Sequence, residues 1–242
     1  MDEKWLAGLK TLIGATTIVV VSAGGLAAMA DESQIDIESE LRGDFFTQIA
    51  ASGENCYVDR IRKEWQDAGE PTVKGWSEEV TDPEAEAAYQ CVIRKLASIY
   101  GKIERFDIGS YQNWRRYNTV AYPSGTHGGR MVNNYGNETG NAYGKFEESG
   151  VMPVGTVLVK DSFGVNKKGE VKVGPIFTMI KMENGFNSAS ADWEYALYTP
   201  GGKLMGSTNG ENSGKVEFCI SCHVSAEDFD QMFFLPDDYR VN

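Results

Sequence analysis

The chain has 242 residues, a hydrophobic content of 41% and a charged content of 24%, enough for one globular domain with or without an appendage. Its formal net charge is −12 at pH 7, and the sequence pI is about 4.7. An acidic surface argues against nucleic acid and anionic membranes as partners, and it is compatible with a basic redox partner or with simple solubility.

An apolar run near the N-terminus, from Leu12 to Val21, indicates an export leader. Ala28-Met29-Ala30 has the small-x-small pattern of a cleavage site, so the sequence predicts a signal peptide over residues 1–30 and a periplasmic protein. The first segment is not clearly basic, and an uncleaved membrane anchor over residues 5–27 is the alternative. That stretch is shorter and more broken by glycine than the roughly 20 residues of a comfortable span.

Residues 31–105 carry apolar side chains at three- and four-residue intervals, which predicts a helical region. One stretch runs over 35–49, and a second over 57–65 ends at the break Gly69-Glu70-Pro71. A third runs from about Pro83 to Tyr100.

Two cysteines, Cys56 and Cys91, fall within the second and third helix-like stretches. In an oxidising compartment such a pair indicates a disulfide, which would tie two antiparallel helices together. It would stabilise the fold by roughly 3–4 kcal/mol if it acts by restricting the unfolded chain. Two buried free thiols are the alternative.

After Gly101 the pattern changes to short alternating runs separated by glycine, asparagine and proline. The runs Thr156–Lys160, Pro175–Ile180 and Trp193–Tyr198 predict antiparallel strands. We therefore expect an α+β fold, in which the helical region packs on an antiparallel sheet formed within residues 106–242.

Two helices are predicted inside this β-rich part. Asn137 is a candidate N-cap for a segment that runs to about Glu148 and stops at Gly150. A last helix is predicted to begin at Ser225, with Asp228 as the acid of a capping box.

The string Cys219-Ile220-Ser221-Cys222-His223 is typical of covalent attachment of a c-type haem. Its spacing places both sulfurs on one turn of backbone, where they can add to two vinyl groups on one porphyrin edge, and the next imidazole projects under the iron. A zinc site needs about four ligands, and a redox dithiol would open a helix in a βαβ unit. The sequence therefore predicts one haem c, attached through Cys219 and Cys222, with His223 as an axial ligand.

The second axial position separates function classes, because an open iron binds small ligands and a closed one favours electron transfer. The chain has two histidines, so a bis-histidine haem must use His127, which lies in a glycine-rich turn where a surface role is more common. Methionine is the other candidate. Met232 is close in sequence to His223, and a helix from Ser225 would keep it on the same side of the ring.

Further segments fit a known family in chain order. They are Tyr111-Gln112-Asn113-Trp114 with Thr119, Tyr143 through Gly150, Gly155 through Asp161, Trp193 through Tyr198, and Asp230 with Phe233-Phe234 after the haem motif. Together they resemble the cytochrome P-460 family, which includes the cytochromes c′-beta, over about residues 111–239. The ordered set makes the resemblance more specific than the haem motif alone.

The resemblance implies a mostly antiparallel β fold, often dimeric, with a five-coordinate haem and an open distal pocket. It implies two activities. Cytochromes P-460 proper oxidise hydroxylamine and carry a lysine cross-linked to the porphyrin, whereas cytochromes c′-beta lack the cross-link and bind gases such as nitric oxide. Where the lysine is expected, this chain has Lys145-Phe146-Glu147-Glu148, with acids at the paired position. Lys145 is therefore the cross-link candidate, with a solvated lysine as the alternative.

Three hypotheses follow. The first is a periplasmic haem protein that binds a small ligand such as nitric oxide at an open iron, with an apolar pocket. Its candidate wall residues are Phe146, Phe163, Phe177 and Trp193. The second is an oxidoreductase acting on hydroxylamine or a related nitrogen compound, and the third is a six-coordinate electron carrier using His127 or a methionine. The expected partners are the small nitrogen compound, a redox partner cytochrome and a second copy of the chain.

Overall fold

The computed structural model describes residues 55–68 and 80–241. Four predictions lie outside these residues: the signal peptide over 1–30, the anchor over 5–27, the helical stretch over 35–49 and the break at 69–71. Among the residues that the structure describes, no helix combines the length and the apolar character that a membrane span requires.

In the part of the chain that the structure describes, two α-helices precede the sheet, α1 (Asp59–Ala68) and α2 (Asp82–Tyr100). Helix α2 begins where the carboxylate of Glu84 accepts a hydrogen bond from the backbone N–H of Thr81 at 3.0 Å. Its buried residues follow helical spacing and form one stripe: Ala85, Ala88, Tyr89, Val92, Leu96 and Tyr100. This stripe is the face that packs on the sheet.

The predicted disulfide between Cys56 and Cys91 is present, with the two Cα atoms 5.9 Å apart. The prediction that it joins two helices is wrong, because Cys56 precedes α1 in an extended segment. The carbonyl of Cys56 accepts a hydrogen bond from the N–H of Val171 at 2.8 Å, and Tyr57 forms a β-bridge with Glu170. The disulfide therefore joins α2 to a strand-like segment at the edge of the sheet.

Within residues 55–68 and 80–241, eight strands form one antiparallel sheet. They are β1 (Arg115–Arg116), β2 (Tyr122–Ser124), β3 (Arg130–Gly136), β4 (Val157–Val165), β5 (Val171–Val173), β6 (Ile176–Lys181), β7 (Trp193–Tyr198) and β8 (Leu204–Ser207). The order across the sheet is β1-β3-β4-β6-β7-β8, with β2 paired to β3 and β5 paired to β4. The α+β class with an antiparallel sheet is confirmed.

The sheet buries both faces against different parts of the chain. Residues that lie directly opposite each other on paired strands share a face of the sheet. Val159 lies opposite Thr178, and Thr178 lies opposite Ala196 on the next strand. These three residues lie on one face, here called the helix face. Lys160 lies opposite Phe177, and Phe177 lies opposite Leu197. These residues lie on the other face of the sheet, here called the motif face.

The helix face packs against α2. The ring of Phe163 lies on this face and stacks on Tyr89 of α2, with ring centroids 6.0 Å apart. The prediction that Phe163 lines the ligand pocket is therefore wrong, since alternation along β4 sends its side chain away from the motif face.

The C-terminal part covers the motif face. The last α-helix, α3, spans Glu217–His223 and is followed by a 3-10 segment, Val224–Phe229, so the prediction of a helix from Ser225 is wrong. The hydroxyl of Ser225 donates to the carbonyl of Cys222 at 2.8 Å. It thus closes the end of α3 and opens no new helix.

The segment after Asn137 is helical and has the predicted cap. The Asn137 side chain accepts from the N–H of Gly140 at 3.0 Å, and a 3-10 helix runs over Glu138–Glu148. A kink at Phe146, where φ is 52°, divides the segment. Glycines at positions 140 and 144 lower α-helix propensity here.

Candidate haem-binding site

The three motif residues lie on the seven-residue helix α3, which brings Cys219, Cys222 and His223 together at helical spacing. Both cysteines are free thiols, Cys219 half-buried and Cys222 exposed. Cys219 packs against the cluster of Leu197, Met205 and Val216, and burial raises the pKa of its thiol to about 12. The Cys219 thiol is therefore protonated at neutral pH, and it lies against an apolar part of the motif face.

One ring nitrogen of His223 is hydrogen-bonded, and no residue that the structure describes hydrogen-bonds the other. Its Nδ1–H donates to the backbone carbonyl of Gln231 at 2.7 Å. The ring packs against Tyr195 and Phe233, with centroid distances of 4.9 and 5.2 Å. Burial lowers the pKa of His223 to about 4, so the imidazole is neutral at pH 7. The proton on Nδ1 leaves the Nε2 lone pair for a metal.

Lys160, which the sequence predicted only as part of a strand, belongs to the same group. It lies in the middle of β4 on the motif face, opposite Phe177. Burial lowers its pKa to about 8, and the charge of Cys222 opposes this shift. Its charge in turn contributes to lowering the pKa of both His223 and His127. The alternation of side chains along β4 places this lysine on a covered face of a central strand. An ionisable residue in such a place indicates a functional site.

Lys145, the predicted cross-link residue, is exposed on the 3-10 segment. Its neighbour Phe146 is half-buried against Phe234 at 6.3 Å, and the Arg240 guanidinium lies 4.3 Å from the Phe146 ring centroid. Glu147 forms a salt bridge with Arg240 at 2.6 Å. This acid therefore belongs to a surface ion pair, and Phe146 forms part of the aromatic cluster on the motif face.

His127 lies closer to the site than its glycine-rich turn suggested. Its ring meets the ring of Phe177 edge-on at 4.8 Å, and Nδ1 is within hydrogen-bond distance of the Ser124 hydroxyl at 2.9 Å. Burial, followed by the charges of Lys160 and His223, lowers the pKa of His127 well below its ordinary value. The fold thus brings both histidines to one region.

The remaining predicted residues are part of the packing. Trp193 is fully buried, and its indole Nε1–H donates to the carbonyl of Asp230 at 2.7 Å. Met232 is buried in the same cluster as Trp193 and Leu158. The structure therefore assigns Met232 to the core on the motif face, and Phe177 with Leu197 to the wall beside Cys219.

These features fit a haem: two unpaired thiols three residues apart, a neutral imidazole with Nε2 open, and an aromatic sheet face beside them. They define a candidate haem-binding site. The family model Cytochrome P460 matches residues 108–234, more than half of the 242-residue chain, and the chain belongs to this family. The match confirms the resemblance and makes haem the expected cofactor of the fold. No curated protein matches the chain.

Proposed function

We propose that this protein carries one haem c, attached through Cys219 and Cys222 with His223 as the axial ligand, and binds a small ligand such as nitric oxide at the opposite face of the iron. One observation supports this most strongly. The His223 imidazole is neutral and anchored through Nδ1 to Gln231, so Nε2 is available directly beside two free thiols.

The bound haem would supply an iron centre that accepts a ligand and changes its charge by one electron. The protein's own groups do the rest. The two thiols would hold one porphyrin edge, His223 would supply the iron ligand, and Phe177 with Leu197 would exclude water on the sheet side.

Hydroxylamine oxidation is the second candidate function, and Lys160 is the observation that favours it. A cross-link in this family uses a lysine, and a neutral amine is the reactive form. Lys160, with its pKa near 8, lies on the motif face beside the site, whereas Lys145 is exposed. If this chain carries the cross-link, we assign it to Lys160 in preference to Lys145.

A six-coordinate electron carrier is the third candidate. The contact of His127 with Phe177 and its electrostatic interaction with His223 support this histidine as a sixth ligand. The hydrogen bond of Nδ1 near Ser124 would leave Nε2 as the coordinating atom.

Export to the periplasm remains a proposal that rests on the leader-like N-terminus. The Cys56–Cys91 disulfide supports it, because disulfides persist in oxidising compartments. A redox partner cytochrome and a second copy of the chain are the proposed macromolecular partners.

Absorption spectra of the purified holoprotein separate the three functions. For an open iron we expect the ferrous protein to bind carbon monoxide, with a shifted Soret band. A strongly red-shifted ferrous Soret band before the gas is added would instead indicate the lysine cross-link. A ferrous spectrum that carbon monoxide leaves unchanged would contradict both open-site functions, and restoration of binding in His127→Ala would identify the sixth ligand.

A further inference from the structure

The turn that follows α3 holds two consecutive residues other than glycine in the left-handed region. The φ angles are 54° at Asp230 and 58° at Gln231. Side chains with a Cβ atom disfavour this conformation, and it persists only where surrounding contacts impose it. The turn matters to the site because this backbone directs the Gln231 carbonyl, which accepts the hydrogen bond from His223 Nδ1.

A buried ion pair holds the first residue of the turn. The ammonium of Lys181, at the end of β6, lies 2.6 Å from the Asp230 carboxylate, with side-chain exposures of 8% and 4%. Lys181 also donates to the carbonyl of Ala191 at 2.7 Å. The other carboxylate oxygen of Asp230 accepts from the N–H of Met152 at 2.9 Å. Because removal of one partner would leave a buried charge unpaired, the pair is a strong restraint on the turn.

Strand β7 and the segment before it hold the turn from the other side. The indole of Trp193 donates to the carbonyl of Asp230 at 2.7 Å. The Gln231 side chain donates to the carbonyl of Ala189 at 2.9 Å and accepts from the Tyr195 hydroxyl at 3.3 Å. The strained backbone is therefore attached to the sheet at both residues, and the sheet fixes the direction of the Gln231 carbonyl.

We propose that Lys181 and Asp230 are positioning residues for the iron ligand. They act through the Gln231 carbonyl, which fixes the His223 ring and strengthens its donation to a metal by drawing on the Nδ1 proton. This inference rests on the proposed function, since it takes His223 as the ligand. Loss of the restraint weakens the hydrogen bond from His223 to the Gln231 carbonyl. The imidazole then donates its electron pair to the iron less strongly, which favours the ferrous state.

The test uses full-length holoprotein with Asp230→Ala, Asp230→Gly and wild type. The measurements are the haem reduction potential and the iron–histidine stretching frequency of the ferrous form. We expect Asp230→Ala to raise the potential and lower the stretching frequency. Asp230→Gly should cause smaller shifts, because glycine adopts the left-handed conformation without strain and keeps the carbonyl in place.

A matched control removes another partly buried ion pair. Glu86 on α2 pairs with Arg116 at 2.8 Å, and Glu86→Ala should change neither measurement. If Asp230→Ala does not fold, Asp230→Asn keeps the side-chain shape and should shift both quantities in the same directions. Equal shifts in the glycine and alanine variants, or values for all Asp230 variants equal to those of wild type, would overturn the inference. Absence of covalent haem from the wild type would instead contradict the proposed function.

Discussion

A buried carboxylate in the helix face, Asp161, makes the stability of the protein depend on pH in a direction unusual for an aspartate. Asp161 is fully buried on β4. It accepts hydrogen bonds from the hydroxyls of Tyr89 and Tyr111 at 3.0 and 2.9 Å and from the side-chain amide of Asn133 at 2.8 Å. Burial raises the pKa of Asp161 from 3.8 to about 6 in spite of these three donors.

The sign follows from proton linkage. The folded state binds the proton of Asp161 more tightly than the unfolded state, so its contribution to stability is fully present below pH 3.8. That contribution is lost as the pH rises through about 6. One pKa unit corresponds to about 1.36 kcal/mol, so the whole effect is about 3 kcal/mol, of which about 2 kcal/mol falls between pH 4 and pH 7.

Asp161→Asn removes the titration. Urea unfolding of both proteins at pH 4, 5, 6 and 7 gives the difference in their free energies of unfolding. Titratable groups other than Asp161 are the same in both proteins, so their contributions to the pH dependence of this difference cancel. The asparagine amide faces the Asn133 amide, which adds a cost independent of pH. We expect the variant to gain about 2 kcal/mol relative to wild type from pH 4 to pH 7. A difference that is constant with pH, or that moves in the wild type's favour, would refute this explanation.

Three further predictions concern the disulfide and the site. Replacing both Cys56 and Cys91 by alanine should lower the free energy of unfolding by about 4 kcal/mol, given a sequence separation of 35 residues, and unchanged urea midpoints would contradict this. Lys160→Met should change the carbon monoxide affinity of the ferrous protein, whereas the exposed Lys145→Met should match wild type; the reverse order would exclude Lys160 from the site. His127→Ala should bind carbon monoxide as wild type does if the iron is open, and a stopped-flow association rate several times faster would instead show that His127 had blocked it.

Local patterns predicted three of the eight described strands and one helix cap. The alternating run Trp193–Tyr198 became β7 with the same bounds, because both of its faces are buried and turn residues bound it. The side chain of Asn137 caps its segment as predicted. The disulfide was predicted because two cysteines remain outside the haem motif in a chain with an export leader. The family was predicted from the order of short segments along the chain.

The failures concern residues whose position depends on distant partners. Ser225 has a cap residue's chemistry but uses its hydroxyl to close α3, and Cys56 joins a strand-like edge because Val171 pairs with it. Strand register decides which face of the sheet Phe163 and Lys160 occupy. A shift of one residue would move the core side chains to the motif face and the site side chains to the helix face. Only the assembled sheet showed that Lys160, and not Lys145, lies beside the haem motif.

The mass of the tryptic peptide that contains Cys219, Cys222 and His223 tests the central claim most directly. After extraction of the holoprotein with acidified organic solvent, we predict that the haem stays with the protein and that the peptide mass is increased by one haem. The Cys219→Ala and Cys222→Ala double variant should release any haem into the solvent. An unmodified wild-type peptide with the haem in the organic phase would contradict covalent attachment at this motif.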